Sequence, residues 1–195
     1  MSDARSIPAD GYGATWVASD DREHTGDGDD RCGPAGAPAI ESVRIEWDNE
    51  AWTATGTMHD SRVQYVMRIS PFWELRQLLL FRDLDEPDLW LGTDGRGRWG
   101  EVNGAHRPDL DGARDAMVAG SHFGWTPPIR RMPLPAGEEM TLPILVVDAE
   151  TLAVTTRQVA LRHDAVGRWE IDGTNVTVDD FGLILDVPGR VRREP

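Results

Sequence analysis

The sequence contains no lysine and only one cysteine. All 20 of its basic residues are arginines, which excludes Schiff-base chemistry and the lysine-dependent phosphate loop. The single cysteine, Cys32, cannot form a disulfide within the chain, and this is typical of a protein from a reducing compartment. Each cation is a planar guanidinium, suited to two-point pairing with carboxylates and to stacking on aromatic rings.

Long apolar runs are also missing. No stretch approaches the ~18 apolar residues of a membrane-spanning helix. The N-terminal stretch "MSDARSIPADGYGATW" has no apolar run after a basic start, so it does not resemble a signal peptide. We therefore expect a cytoplasmic protein with no membrane span.

Positive charge is scarce relative to negative charge. The chain carries 34 acidic residues against 20 basic ones, for a net charge of −14. Nucleic-acid affinity comes largely from basic side chains that neutralise phosphates, and adsorption to anionic lipid surfaces requires polybasic segments. The composition therefore argues against nucleic acid as a partner and against loose membrane adsorption.

The usual catalytic and metal-binding motifs are absent from the sequence. No histidine lies in an HExxH pattern or at zinc spacing from a cysteine, and there is no Gly-x-Ser-x-Gly elbow. Carboxylate pairs such as Asp83/Asp85 and Asp109/Asp111 are expected by chance in so acidic a chain, on a solvated surface. We predict no catalytic residue, no metal site and no cofactor.

The chain divides near residue 40. Residues 1–40 are acidic, rich in glycine and poor in large apolar groups, with "DDREHTGDGDD" as the extreme. Such a segment cannot bury enough apolar surface to offset the entropy of ordering. We expect 1–40 to be a flexible, disordered arm, with Trp16 and Val17 able to dock on the domain formed by 41–195. Removal of 1–38 is expected to leave the fold intact.

From Val43 onward the apolar residues mostly alternate. "VRIEW" and "RVQYVMRIS" place every second residue on one face, as in half-buried strands. "LWLGTDGRGRWGEV" is typical of a hairpin with a glycine-rich turn. Similar short segments continue to the C-terminus. The pattern predicts a mainly β fold: an antiparallel sheet curled into a roll or incomplete barrel, with few short helices.

Two segments are less regular. "FWELRQLLLFRD" is ambiguous, because Phe72, Leu75 and Leu79 would also suit a helix. The strand interpretation puts Trp73, Leu75, Leu79 and Phe81 on one face, with Gln77 as an exception. "LDGARDAMVAG" is the modest helix candidate of the chain.

Tryptophan is unusually frequent, with eight residues against two tyrosines. Most are expected in the core, because a large apolar ring favours burial. Trp73, Trp99 and Trp125 lie beside turns or prolines, where the mouth of a pocket often forms. We predict these three as ligand-binding candidates that face an acyl chain or a sugar ring.

The segment "GWTPPIRRMPLP" combines four prolines with two adjacent arginines. Proline restricts its own φ and disfavours helix at the preceding residue, so the segment is expected to be extended, with Arg130 and Arg131 pointing in opposite directions. The inward arginine would need an anion or several carbonyls. One arginine is predicted to form a structural ion pair, with Asp115, Asp179 or Asp186 as candidate partners. The other is predicted to bind a ligand.

Four stretches resemble a bacterial family described as "putative glycolipid-binding". They are "DGRGRW", "GARDAMVAG", "TPPIRRMPLPAGE" and "VDDFGLILDVPGRVRR", and the resemblance covers 43–193. It implies a curled antiparallel sheet, similar to bacterial carriers of lipidated cargo, and a lipid or glycolipid as partner. The chain departs from the family pattern at Ala113, Trp125, Pro127 and Val187.

The resulting functional hypothesis is non-catalytic binding of an amphipathic ligand, a glycolipid or an acyl-bearing molecule, in a cleft of the curled sheet. Two alternatives remain open at this point. One is a small carboxylate-dependent hydrolase or isomerase, and the other is a protein–protein adaptor that uses the open sheet edge.

Overall fold

The structure is a computed structural model that describes residues 7–8, 11–19, 39–59, 62–82, 86–101 and 103–195. Its strands are β1 (Tyr12–Ala18), β2 (Ala39–Asp48), β3 (Ala51–Met58), β4 (Val63–Ile69), β5 (Leu75–Phe81), β6 (Leu89–Thr93), β7 (Trp99–Glu101), β8 (Asp115–Val118), β9 (Glu139–Val147), β10 (Val154–Ala165), β11 (Arg168–Ile171), β12 (Thr174–Val178), β13 (Ile184–Val187) and β14 (Val191–Arg193). One short α-helix, α1, spans Thr126–Arg131.

These strands form one large, curled and unclosed sheet, in the order β7-β6-β5-β4-β3-β2-β1-β14-β13-β12-β11-β10-β9-β8. Neighbours are antiparallel except β8 and β9, which are parallel. The pairing of β1 with β14 joins the first half of the sheet to the second half. The curl brings β8 into contact with β5, so the segment that follows β8 lies inside the roll. The fold is mainly β, as the sequence predicts.

Alternation in the sequence becomes alternation in burial. In β4 the side chains of Val63, Tyr65, Met67 and Ile69 are buried, and those between them are exposed or half-buried. The hairpin predicted at "LWLGTDGRGRWGEV" is present as the antiparallel pair β6 and β7. Burying one large aliphatic side chain is worth about 1.5–3 kcal/mol, so a one-residue slip of such a strand would be costly.

The expectation of a flexible arm over 1–40 needs correction at residues 12–18. These residues form β1, which lies between β2 and β14 in the middle of the sheet. Trp16 is fully buried, and its Nε1 donates a hydrogen bond of 2.8 Å to the carbonyl of Ile184. Because the residues around this stretch are acidic, the sequence does not predict the short apolar strand that completes the sheet. Most of the remaining arm lies outside the described residues.

The predicted face of β5 is wrong because the strand is bulged. Its buried residues are Leu75, Leu78 and Leu80, whereas Leu79 and Phe81 are only partly buried. Pairing with β4 shifts register between Arg68 and Ile69, and an extra residue on one strand moves all later side chains to the opposite face.

The helix predicted in "LDGARDAMVAG" is also wrong. A 3₁₀ turn occupies Pro108–Leu110, and β8 is formed by the buried Asp115 and the three apolar residues that follow it. All four residues of β8 are buried. A short strand buried on both faces has a continuous apolar sequence without alternation, as parallel strands commonly do.

The proline segment is helical rather than extended. Pro127 and Pro128 lie in the first turn of α1, where the missing N–H would have no intrahelical partner and a φ near −65° fits the helix. The bias against helix before proline is therefore overridden at this helix start. Arg130 and Arg131 leave the last turn of α1 about 100° apart instead of on opposite faces of a strand.

Candidate functional site

A buried carboxylate, Glu41 of β2, holds the segment that runs from β8 to α1. The hydroxyls of Tyr65 and Ser121 donate to Glu41 Oε1 at 2.5 and 2.7 Å. The backbone N–H groups of His122 and Phe123 donate to Oε2 at 2.6 and 3.3 Å. The Glu41 side chain has no exposure to solvent, so these four donors replace its hydration shell.

The environment of Glu41 favours the ionised form. Burial raises the pKa of its carboxyl, but the interactions with the His122 ring and with the Tyr65 and Ser121 hydroxyls lower the pKa by more, so that it falls below its ordinary value. Burial, followed by the charge of Glu41, raises the pKa of Tyr65 well above 10, and its hydroxyl stays protonated as a donor. At neutral pH a negative charge therefore lies in the core.

The ring of His122 connects this charge to the interior surface of the roll. Its Nδ1 lies 3.3 Å from Glu41 Oε2. That distance suits an ion pair, although the approach angle does not make a well-formed hydrogen bond. One ring face stacks on Trp16, with centroids 5.9 Å apart and planes 24° apart. Because Nδ1 is enclosed against Glu41, Nε2 is the nitrogen that reaches the space on the other side.

That space is a groove of about 480 Å³ on the concave side of the second half of the sheet. The volume is within the range of small-molecule sites. Strands β8 to β14 all contribute side chains, and the segment 119–125 closes one side. The apolar wall consists of Met117, Trp125, Val146, Val159, Ile171, Val176, Ile184, Val187 and Val191. We call this space the β8–β14 groove.

The charged residues of the β8–β14 groove lie at its rim. Arg157 on β10 forms an exposed ion pair with Asp172 at 3.3 Å. Arg190, just before β14, is exposed, and its guanidinium makes no hydrogen bond within the described residues. With two arginines against one aspartate, the groove carries more positive than negative side chains in a chain whose net charge is −14.

Two other hollows are less suited to a ligand. One, of about 500 Å³, is bounded by a few residues between Glu86 and Trp90 and by Glu101. The other, of about 380 Å³, lies beside β1 and the C-terminal residues. Neither is enclosed by as many strands as the β8–β14 groove or has a comparable apolar wall.

Arg131 lies away from the groove, in a buried ion pair. Its Nη2 donates to Asp115 Oδ2, which ties α1 to β8; the Asp115 side chain is almost completely buried and that of Arg131 is 13% exposed. Burial raises the pKa of Asp115 above its ordinary value, and the charge of Arg131 opposes that rise. Of the three acids predicted as ion-pair candidates, Asp115 pairs with Arg131. Burial lowers the pKa of Arg130, and the charge of a second candidate, Asp179, opposes that change.

Arg130 joins three segments of chain. Its guanidinium lies 4.2 Å from the ring centroid of Trp73, and its Nη1 donates to the carbonyl of Phe181. Its stem packs on Gly182, where an added Cβ would lie 2.9 Å from Arg130 Cγ. The arginine thereby fastens α1 to the β4–β5 and β12–β13 turns. Its predicted role in ligand binding, like that of Arg131 and Trp73, stays a prediction.

The remaining predicted residues lie in different places. Trp125 lines the β8–β14 groove. Trp99 is in the core, with Nε1 donating to the carbonyl of Ala113 at 2.8 Å. Asp179 accepts from Arg193 at 2.6 Å and from the hydroxyl of Tyr12 at 3.2 Å. Asp186 makes no ion pair within the part of the chain that the structure describes.

Sequence reasoning did not identify Glu41, Ser121 or His122. One signal was available: Glu41 has the same parity as Val43 and Ile45 in β2, so the alternation places a charge on the buried face. A charge on a buried face requires partners. Their identity depends on the chain that returns about 80 residues later, which periodicity cannot show.

Among the described residues, no helix is long and apolar enough to cross a membrane. The same residues contain no cluster of three or more histidine, cysteine, aspartate or glutamate side chains that could hold a metal ion.

The fold and groove define a mainly β protein built on an open, curled sheet. Residues 34–193 match the family described as "putative glycolipid-binding", and the chain belongs to this family. Among solved structures, the chain is similar to a DUF1089 family protein from Pseudomonas aeruginosa, with a TM-score of 0.65 and 24% sequence identity over 83% of this chain and 97% of that chain. That likeness supports the fold. No protein with a curated description matches.

Proposed function

We propose that this protein binds an amphipathic, acyl-bearing molecule in the β8–β14 groove and does not transform it chemically. The groove itself carries the proposal. It is large enough for a small molecule, most of its wall is apolar, and its polar side chains are those of Ser121, His122 and Thr174 and of three charged residues. An apolar cleft with a few polar groups at defined positions is the usual form of a small-molecule site. The family description supports a lipid-like ligand.

The arrangement of Ser121 supports binding rather than hydrolysis. A serine nucleophile must present its Oγ to the substrate as well as reach a base. Ser121 is only 3% exposed, and its hydroxyl donates to the fully buried Glu41 at 2.7 Å and accepts from the N–H of Gly124 at 3.0 Å. Its hydroxyl is buried and serves to fix the 119–125 segment.

Two measurements test the proposal. Native mass spectrometry of protein purified from its own host is expected to show a co-purified lipid. Addition of dodecanoate or dodecyl maltoside below micellar concentrations is expected to change tryptophan emission and to raise Tm by mass action. Absence of both effects with every amphiphile tried contradicts the proposal.

A matched pair of variants locates the site. Trp125 lines the β8–β14 groove, whereas Trp90 lines the separate hollow beside Glu101. Trp125→Phe is expected to remove most of the ligand-induced change in emission, and Trp90→Phe is expected to retain it. The reverse result would move the site to the other hollow.

A further inference from the structure

The ring of His122 lies between the buried carboxylate of Glu41 and the β8–β14 groove. Glu41 is fully buried behind the ring, and the nearest ring nitrogen, Nδ1, lies 3.3 Å from its carboxylate. Nε2 makes no hydrogen bond within the described residues, and the His122 side chain lines the groove. The ring therefore offers one unused polar atom at the wall of an apolar space.

The position of Glu41 determines what Nε2 can bind. A carboxylate beside one imidazole nitrogen favours a proton on that nitrogen. With the proton on Nδ1, Nε2 can donate a hydrogen bond only when the ring is doubly protonated and cationic. An anion in the groove and the carboxylate of Glu41 would then stabilise the cation from both sides.

The charged residues at the rim of the groove also favour an anionic ligand. Arg157 is accompanied by one acid, Asp172, at 3.3 Å. Arg190 forms no ion pair with an acid within the described part of the chain. A local excess of positive charge in a protein of net charge −14 is electrostatically complementary to an anion.

We infer that the ligand carries an oxyanion, a carboxylate or a phosphate, and that the Nε2–H of His122 binds it while the acyl chain lies along the aliphatic wall. This inference rests on the proposed function and specifies the polar end of the ligand. Glu41 is a positioning residue, because it fixes the ring and its backbone through Oε2. Arg190 supplies further positive charge at the rim.

Binding of the oxyanion then takes up a proton. The charged groups around the ring are Glu41 behind it and Arg157, Asp172 and Arg190 at the rim; Tyr65, which contacts Glu41, stays neutral. The ring of His122 is the group that gains the proton in this arrangement, so affinity for an anion is expected to fall as pH rises.

Three ligands with the same dodecyl tail test the inference: dodecanoate, dodecyl phosphate and dodecyl maltoside, each below its micellar concentration. At pH 6.5 we expect at least one anion to bind about tenfold or more tightly than the neutral maltoside, as for a hydrogen bond to a charged group. The dodecanoate and dodecyl phosphate arms separate a carboxylate source from a phosphate source. Isothermal titration in two buffers of different ionisation enthalpy is expected to show proton uptake with the anion alone.

The ratio of the affinity for an anion to the affinity for the maltoside separates a specific effect of His122 from general damage to the groove. His122→Ala is expected to bring the ratio close to one. His59→Ala is the control, because His59 is exposed on the other half of the sheet, where its Nε2 lies 3.2 Å from the hydroxyl of Ser42. It should leave the ratio unchanged.

The outcomes distinguish failure of the proposed acyl binding from failure of the oxyanion site alone. If none of the three ligands binds, the proposed function fails and the inference fails with it. If maltoside binds as tightly as the anions, or if His122→Ala keeps the preference, acyl binding stands and the oxyanion site is wrong. Should His122→Ala not fold, nitrogen NMR of the wild-type protein decides: dodecanoate should shift the Nε2 resonance of His122, and no shift overturns the inference.

Discussion

The ring of Tyr65 occupies the space that a side chain on Gly56 would fill. A Cβ added at Gly56 would lie 2.0 Å from Tyr65 Cζ and 2.4 Å from its hydroxyl oxygen. The two residues are paired across β3 and β4. Without a side chain at Gly56, the tyrosine crosses β3 and reaches Glu41 on β2. A glycine in one strand is thus required for the burial of a carboxylate in the next.

The first prediction follows from this contact. Gly56→Ala should displace the Tyr65 ring and weaken its hydrogen bond to Glu41. Overpacking of this kind costs about 1–3 kcal/mol, and urea denaturation is the measurement. We also expect weaker ligand binding, because Glu41 holds the 119–125 segment that borders the groove.

Gly13→Ala is the matched control. Gly13 is also a strand glycine, but an added Cβ there would meet only the carbonyl of Val43 at 3.8 Å, an ordinary contact. Its effect on the free energy of unfolding should be small. Equal losses for both variants would show that the Tyr65 crossing is not the cause.

Local sequence pattern was sufficient to predict most of the strands. β4 alternates because one face is buried, and the β6–β7 hairpin carries its own turn signal. The bulge opposite Ile69 and the burial of β8 on both faces depend on neighbouring strands, which local periodicity does not contain. β1 is harder to predict because acidic residues surround it, although the sequence predicts that Trp16 can dock on the domain.

The candidate site was less predictable than the fold. Trp125 was identified from its neighbouring prolines and lines the groove. Trp99 lies beside a glycine-rich turn and not beside prolines, and it is in the core, where residues 111–113 accept hydrogen bonds from its backbone and its ring. The contact between Glu41 and His122 joins β2 to a segment about 80 residues away, and no local pattern encodes it.

The second prediction concerns acid. The folded-state pKa of Glu41 is lowered, so the stability it contributes is present above its unfolded value, near 4.5, and is lost as pH falls through the folded value. Asp115 has the opposite sign, because burial raises its pKa and protonation of the folded state relieves that cost. Comparing the pH dependence of unfolding for wild type and Glu41→Gln should isolate the Glu41 component below about pH 4.5.

The expected result is a smaller loss of stability in acid for Glu41→Gln than for wild type. The variant should also be less stable at neutral pH, because the amide adds a donor where four donors already converge. An unchanged acid limb in the variant would show that other carboxyls dominate.

The third prediction separates the two arginines of α1. Arg131→Ala leaves Asp115 buried without its cation, which costs about 3–5 kcal/mol. Arg130→Ala removes the stacking on Trp73 and the hydrogen bond to Phe181, and the expected cost is about 1–3 kcal/mol. Unfolding free energies and ligand affinities of the two variants provide the check.

The affinity measurements test the prediction that one arginine binds a headgroup. If the arginines of α1 only stabilise the fold, both variants should keep the affinity for dodecanoate within about threefold when they are folded. A selective loss of affinity with Arg130→Ala, at nearly unchanged stability, would instead place a headgroup at that arginine.

The last prediction concerns β1. Trp16 is completely buried, donates to the carbonyl of Ile184 and supports one face of the His122 ring. Trp16→Ala should cost about 3–5 kcal/mol, as for other buried tryptophans, and should loosen the ring at the groove wall. Trp47→Ala is the control, because Trp47 is 40% exposed at the end of β2.

Removal of 1–38 should be at least as damaging as Trp16→Ala, since it deletes the strand that joins the two halves of the sheet. A truncated protein of wild-type stability would show that β2 and β14 can close the gap without β1.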